Sequence, residues 1–185
     1  MYLIVGLGNP EDEYANTRHN MGFDAINKIA KKFKISVNKN KFDGIYGKGT
    51  IGNEEVILLK PQTFMNDSGK SIRQVMNFFK IGSDNLIVIF DDIDIEPGIT
   101  KVRKKGGPGT HNGMKSVVQH AGTTNFARVR VGIGAPKYKT DIIGHVLNKL
   151  SQDDKIDLEK GTDLATEAVE LIITKGIDFA MNKLN

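Results

Sequence analysis

Short, uninterrupted apolar runs are the feature of this sequence that most constrains its fold. Residues 86–90 are five consecutive apolar residues, which predicts a strand covered on both faces. Similar runs at 3–7 and 56–59 predict two more buried strands. Residues 128–133 alternate arginine or glycine with valine or isoleucine, a pattern typical of a half-buried strand with one basic face.

Apolar residues at helical spacing lie between and after these runs. Three sets each fall on one face of a predicted helix, and Asp67 or Ser68 is in position to cap the second helix. Strands that alternate with helices predict an α/β fold: a single domain over residues 1–185, with a central mixed, largely parallel, twisted sheet flanked by helices. The sets are Phe23, Ile26, Ala30 and Phe33; Ile72, Val75, Met76 and Phe79; and, for a closing helix, Leu164, Ala168, Leu171 and Ile172.

Composition excludes several classes of protein. The chain has 185 residues, 39% of them hydrophobic and 26% charged, as in an ordinary globular domain. It has no cysteine, which rules out disulfides, thiolate metal sites and a thiolate nucleophile. It has no apolar stretch of the roughly 20 residues that span a membrane, and no signal peptide is recognisable. We therefore expect a cytoplasmic protein that does not engage a membrane.

Positive charge is concentrated in short segments. The formal charge of +4 and the pI of about 9.1 are compatible with a nucleic-acid partner. The basic run at 101–105 abuts a glycine-rich segment at 106–109, so phosphate contact and a plain loop are both open readings there. His111 and Asn112 follow at the start of another helical stretch. The lysines of 28–41 are more typical of a solvated surface.

Candidate polar groups follow the predicted strands. In open α/β sheets, ligands bind beyond the carboxyl ends of the strands. Asn9 comes after the first run, Asn66 after the second and Asp91 immediately after the third. If these strands are parallel neighbours, the three side chains share one edge of the sheet. His19, which precedes the first helix, could reach the same edge.

Together these residues predict a water-activating hydrolase. A neutral histidine such as His19 can take a proton from water at physiological pH. A buried aspartate beside it would fix its tautomer and stabilise the imidazolium. Asparagines donate hydrogen bonds to a developing oxyanion without adding charge. Such a site needs no covalent nucleophile.

Each residue also has a purely structural interpretation. Taken alone, His19 is more often a structural or surface histidine, Asn9 a turn former and Asn66 part of a helix entry. For the acidic residues of 92–96 we favour a solvated turn over a site. It is the shared position at strand ends that favours function.

Two other classes of enzyme are disfavoured. The Gly6-x-Gly8 pair suggests a dinucleotide-binding turn, but Glu11 occupies the third glycine position and Pro10 interrupts the motif. Acidic residues with histidines suggest a metal-dependent nuclease or phosphatase. The sequence, however, contains no metalloprotease, EF-hand or P-loop motif.

The same residues occur in six segments that resemble the bacterial-type peptidyl-tRNA hydrolases over nearly the whole chain. The resemblance implies an α/β enzyme, monomeric and without metal or cofactor. It would hydrolyse the ester between a peptide's terminal carboxyl and the terminal ribose of tRNA, acting as a carboxylic ester hydrolase. The segments are LIVGLGNP at 3–10, YANTRHNMGF at 14–23, KPQTFMNDSG at 60–69, DDID at 91–94, HNG at 111–113 and RVRVGIG at 128–134.

The resemblance also implies roles for individual residues. His19 would be the general base and Asp91 the carboxylate that supports its basic form. Asn9 would help to separate blocked peptidyl-tRNA from free aminoacyl-tRNA. Arg103 and Arg130 would lie near the tRNA 5′ phosphate. The other substrate-binding residues would be Tyr14, Phe64, Asn66, His111, Asn112, Lys104 and Lys105, although the two aromatic residues could instead be core residues.

Two departures from the family pattern and one further alternative remain. Glu11 stands where the family commonly has glycine, which puts the turn after Pro10 in question. The segment at 104–110 is less rich in glycine than usual, which puts the shape and mobility of a lid in question. A non-catalytic tRNA-binding module is the alternative function, but binding alone requires neither His19 nor Asp91.

Overall fold

Seven strands form one mixed sheet in this computed structural model, which describes residues 1–185 except the side chain of residue 139. The first, fourth, fifth and seventh strands are parallel to one another and lie together. The remaining three strands join antiparallel. The strands are β1 Tyr2–Gly6, β2 Lys39–Lys41, β3 Gly44–Ile51, β4 Glu54–Pro61, β5 Leu86–Asp92, β6 Thr100–Arg103 and β7 Ala127–Gly132, in the spatial order β2-β3-β4-β1-β5-β7-β6.

Helices cover both faces of the sheet, and together with it they confirm the predicted α/β class. A short 3₁₀ turn, Arg18–Asn20, carries His19 into the first helix. Within the described part of the chain, no helix is both long and apolar enough to cross a membrane. The helices are α1 Met21–Phe33, α2 Ser68–Phe79, α3 Asn112–Ala121, α4 Ile142–Leu147, α5 Gln152–Lys175 and α6 Ile177–Leu184.

Two apolar layers hold the sheet between the helices. Because successive strand residues point to opposite faces, Ile4 packs in the layer under α1 and α5, whereas Leu3 and Val5 pack in the layer under α2 and α3. A Cβ atom on Gly6 would collide with the carbonyl oxygen of Gly22. That close approach of β1 to α1 sets where the helix begins, and thereby where His19 lies.

Three local expectations were wrong. Arg128 is only 2% exposed, because β7 is an inner strand and the Arg128 guanidinium donates to the carbonyls of Gly106 and Thr124. The strand was predicted to be half-buried, which was wrong, because β7 is buried on both faces. Asp67 precedes α2 but makes no capping hydrogen bond through its side chain. The helix over 164–172 is not the closing one, since α6 follows it.

Candidate active site

A cleft of about 460 Å³ lies at the carboxyl ends of β1, β4 and β5. The loop over 105–110 and helix α4 bound its other sides. The predicted shared edge is present, because β1 pairs in parallel with both β4 and β5. Asn9, Asn66 and Asp91 accordingly line one cleft together with His19.

Two histidines share the Asp91 carboxylate at the centre of the cleft. His19 Nδ1 lies 2.8 Å from Asp91 Oδ2, and His111 Nε2 lies 2.8 Å from Asp91 Oδ1. Asp91 is 3% exposed, and the two imidazole centroids are 5.0 Å apart. His111 had been expected among the substrate-binding residues; the structure places it directly on the carboxylate.

The hydrogen-bond partners of the two rings assign their tautomers. His111 Nδ1 accepts the backbone N–H of Met114 at 3.2 Å, as the N-cap of α3. Its Nε2 must therefore carry the proton that is donated to Asp91. His19 donates from Nδ1, and its Nε2 makes no hydrogen bond within the described part of the chain. Of the two rings, only His19 keeps an unshared nitrogen lone pair beside the cleft.

Electrostatics around Asp91 strengthen His19 as a base. Burial alone would lower the pKa of His19, but the charge and hydrogen bond of Asp91 outweigh it and raise that pKa above 6.5. Burial alone would raise the pKa of Asp91, but His111 and His19 bring it well below the usual range. Asp91 therefore stays ionised at neutral pH and stabilises a protonated His19.

Asn9 presents a donor to the cleft. Its Oδ1 accepts the backbone N–H of Met65 at 2.9 Å, which leaves the Nδ2 amide group as the free end. The backbone of Asn9 is clamped by Asn20, whose Oδ1 accepts from Asn9 N at 2.7 Å and whose Nδ2 donates to Asn9 O at 3.0 Å. Glu11 has a φ of −75°, so the turn after Pro10 does not require glycine.

The other predicted substrate-binding residues are divided between the cleft and the outer surface. Tyr14, Phe64, Asn66 and Asn112 line the cleft. Phe64 is 55% exposed, so it is not a core aromatic residue. Lys104 instead pairs with Asp178 on α6 at 3.0 Å and is absent from the cleft lining.

A basic wall forms the β6–β7 side of the cleft. Arg103, Lys105 and Arg130 line it. Arg130 Nε donates to Asp92 Oδ2 at 2.8 Å, and both side chains are mostly buried. The prediction that Asp92 belongs to a solvated turn was therefore wrong, because this aspartate orients a cleft arginine.

Sequence reasoning missed three contributions to the site. Asn20 follows His19 directly, and its place in the same motif was an available signal. Arg128 lines the cleft and is buried; burial and the neighbouring Arg103 and Arg130 lower its pKa to about 10. Helix α4 supplies an apolar wall that includes Ile143. With six residues, α4 is too short for a helical spacing of apolar residues to be recognised in the sequence.

The side chains of His19, Asp91 and His111 form a group that could hold a metal cation. The ligand atoms of His19, Asp91 and His111 lie within 4.8 Å of one another. However, one nitrogen of each ring, Nδ1 of His19 and Nε2 of His111, is hydrogen-bonded directly to the Asp91 carboxylate at 2.8 Å. A base with its supporting carboxylate fits this geometry without a metal.

Fold and site together define an α/β protein with a histidine–carboxylate centre in a polar cleft, which is a hydrolase-type arrangement. The peptidyl-tRNA hydrolase family model matches residues 3–185. The peptidyl-tRNA hydrolase of Clostridium novyi is 52% identical over 100% of this chain and 98% of its own length, and that of Alkaliphilus metalliredigens is 49% identical over the full length of both. The crystal structure of the enzyme from Acinetobacter baumannii superposes with a TM-score of 0.94 at 39% identity, covering 100% of this chain and 94% of that one. The chain belongs to the peptidyl-tRNA hydrolase family.

Proposed function

We propose that His19 is the general base of a peptidyl-tRNA hydrolase, a family whose members release tRNA from peptidyl-tRNA. The observation that carries the proposal is the pair of tautomers on Asp91. His111 has both ring nitrogens engaged, whereas His19 keeps Nε2 for a proton. A general base needs an unshared lone pair within reach of the attacking water.

The reaction follows from these positions. A water oxygen attacks the ester carbonyl carbon while its proton passes to His19 Nε2. Asp91 stabilises the imidazolium through Nδ1–H. The Nδ2 group of Asn9, with Asn66 and Asn112 on the same cleft lining, donates to the developing oxyanion. When the tetrahedral intermediate collapses, the proton on Nε2 goes to the departing ribose oxygen, which leaves as a hydroxyl.

Asn9 also separates the two kinds of charged tRNA. Next to the ester, a peptidyl substrate offers an amide carbonyl, whereas free aminoacyl-tRNA offers an ammonium. The outward Nδ2 donor of Asn9 pairs with the carbonyl and opposes the ammonium. A buried donor facing another donor is a costly mismatch.

The basic wall serves the nucleic acid. Arg103, Lys105 and Arg130 would neutralise tRNA phosphates, contacts that position the substrate without reading its sequence. All of the proposed machinery comes from one chain, which supports action as a monomer. A substrate made during translation supports a cytoplasmic location.

Release of N-acetylated amino acid from N-acetyl-aminoacyl-tRNA, measured with EDTA present, tests the activity. We expect turnover in EDTA, intact tRNA as a product and little cleavage of unblocked aminoacyl-tRNA. If the protein bound tRNA without turnover, the proposed activity would fail and the alternative, a non-catalytic tRNA-binding module, would be supported.

The metal-assisted alternative rests on the cluster of His19, Asp91 and His111. It predicts that EDTA abolishes turnover and that added divalent cation restores it. Activity that does not respond to EDTA removes this alternative.

A further inference from the structure

A second groove, of about 500 Å³, continues the cleft past Phe64. Phe64 is part of the lining of both cavities, so they are neighbours with one shared wall. Its lining includes Asn40 and Lys41 of the β2–β3 hairpin, Lys70 of α2, and Gln62, which follows β4. We call this cavity the hairpin groove. The proposed chemistry at His19 makes no use of it.

The order of strands in the sheet shows which groups lie at each end of the cleft. Arg103 and Arg130 project from β6 and β7, Asp91 from β5, and Asn9 follows β1. Phe64 follows β4, and the hairpin groove lies beyond it at the start of β3, where Gly44 is paired with Pro61. The tRNA phosphates are assigned to the β6–β7 side, so the acyl side of the ester faces the hairpin groove.

We infer that the hairpin groove binds the peptide part of peptidyl-tRNA, upstream of the residue joined to the ribose. This inference rests on the proposed function. Three strand spacings separate β5 from β3, or about 14 Å, which an extended peptide crosses in about four residues. A substrate with one blocked amino acid is too short to reach the groove.

The walls suit a peptide of any sequence. An extended peptide presents a backbone N–H and a C=O at each residue. Gln62 uses its amide nitrogen on the carbonyl of Lys60, which leaves its side-chain oxygen as an acceptor. Lys70 supplies a mobile donor for peptide carbonyls. The Lys41 ammonium instead lies over the rings of Phe42 and Phe78, 5.1 and 4.6 Å from their centroids. Apart from Gly44 and Phe64, the residues that line the groove are polar or charged, which suits contacts to a peptide backbone better than the selection of one apolar side chain.

The hairpin wall is built rigidly. Phe42 and Asp43 form the two-residue turn, and both have positive φ, 60° and 52°, a conformation that costs energy for residues other than glycine. Asp43 compensates: its carbonyl accepts from Gln62 N at 2.8 Å and its carboxylate from Gln74 Nε2 at 2.8 Å. The turn is thereby fixed to the residue that follows β4 and to α2, which pre-forms the groove.

The test compares two blocked substrates: N-acetyl-aminoacyl-tRNA and an N-acetyl-tetrapeptidyl-tRNA. Lys70→Trp fills the groove from α2, and Asn40→Trp fills it from the hairpin. Arg73→Trp is the matched control, because Arg73 is exposed on the same helix and outside the groove lining. We expect each filling variant, but not the control, to lower the kcat/KM ratio of long to short substrate by about fivefold or more.

The outcomes separate the inference from the function on which it rests. If the wild type cleaves neither substrate, the proposed function fails and the inference fails with it. If the wild type cleaves both, but the filling variants leave the ratio unchanged or lower both values equally, only the peptide assignment is overturned. Using two variants on different elements of the lining keeps the test decisive if one of them folds poorly.

Discussion

The side-chain oxygen of Asn9 accepts the backbone N–H of Met65 at 2.9 Å, so the end that Asn9 turns to the cleft is a hydrogen-bond donor. Asn9→Asp keeps an oxygen for Met65 but replaces that donor with a carboxylate oxygen. The carboxylate attracts the ammonium of aminoacyl-tRNA and repels the oxyanion. We expect kcat/KM for blocked substrate to fall about tenfold or more, and the preference for blocked over free substrate to narrow.

Parallel assays of the two substrates measure this preference. Asn9→Ala serves as the control, since it removes the donor without adding a charge. It should lose activity without gaining on free aminoacyl-tRNA. An Asn9→Asp enzyme with unchanged preference would show that Asn9 does not discriminate.

The pH dependence of kcat/KM reports the state of His19. The base must be neutral, so activity should fall as the pH drops through its pKa, which Asp91 holds above 6.5. In Asp91→Asn, burial is no longer opposed and the pKa falls. We therefore expect a midpoint above pH 6.5 in the wild type, and in the variant a lower midpoint with a plateau reduced about 10²-fold or more. If the midpoint did not move, Asp91 would not be the group that raises the pKa of the titrating base.

The basic wall should be visible in salt dependence. Arg103→Gln removes one phosphate contact, so tRNA binding should weaken and the slope of log affinity against log salt should lose about one unit. Lys104→Gln is the comparison, because Lys104 lies outside the cleft and pairs with Asp178. If the two substitutions changed the slope equally, the assignment of phosphate binding to the basic wall of the cleft would be contradicted. Affinities measured by titration at several salt concentrations give both slopes.

Asp24 lies outside the lining of the active-site cleft, and its burial leads to a prediction about the stability of the fold. Burial raises its pKa from 3.8 to about 6, against smaller opposing effects of Lys28 and Lys60. The charged form therefore opposes folding: the cost is absent below pH 3.8, grows between 3.8 and 6, and is complete above 6. Because water reaches part of the carboxyl, we expect Asp24→Asn to raise the free energy of unfolding at pH 7 by about 1 kcal/mol.

Denaturant unfolding at pH 7 and pH 4 measures that gain, which should shrink at the lower pH. Asp163→Asn is the control, because this exposed carboxylate meets Lys28 at the surface and should change stability by less than about 0.5 kcal/mol. A gain from Asp24→Asn that is equal at both pH values would exclude the pKa shift as its cause.

Local sequence patterns were sufficient for the centre of the fold. Continuous apolar runs identified β1, β4 and β5, and the rule that ligands bind at strand ends brought Asn9, Asn66 and Asp91 to one edge. The hairpin strand β2 contains only Lys39, Asn40 and Lys41, so its apolar content gave no signal.

Contacts made far along the chain were harder to predict. His19 and Asp91 are 72 residues apart, and their contact was predicted only from a shared sheet edge and from the resemblance to the family. The second histidine on Asp91 was not foreseen, because the position of His111 depends on where α3 starts against β5. The strand that holds Arg128 was predicted to be half-buried, since alternation along a strand does not reveal which carbonyls will cover a guanidinium.

The most direct test of the account is a comparison of His19→Ala with His111→Ala on N-acetyl-aminoacyl-tRNA. His19→Ala removes the base, so kcat should fall about 10²-fold or more. His111→Ala removes only a neutral partner of Asp91 and the N-cap of α3, so kcat should fall clearly less. Equal losses in both variants, or a larger loss in His111→Ala, would contradict the assignment of His19 as the general base.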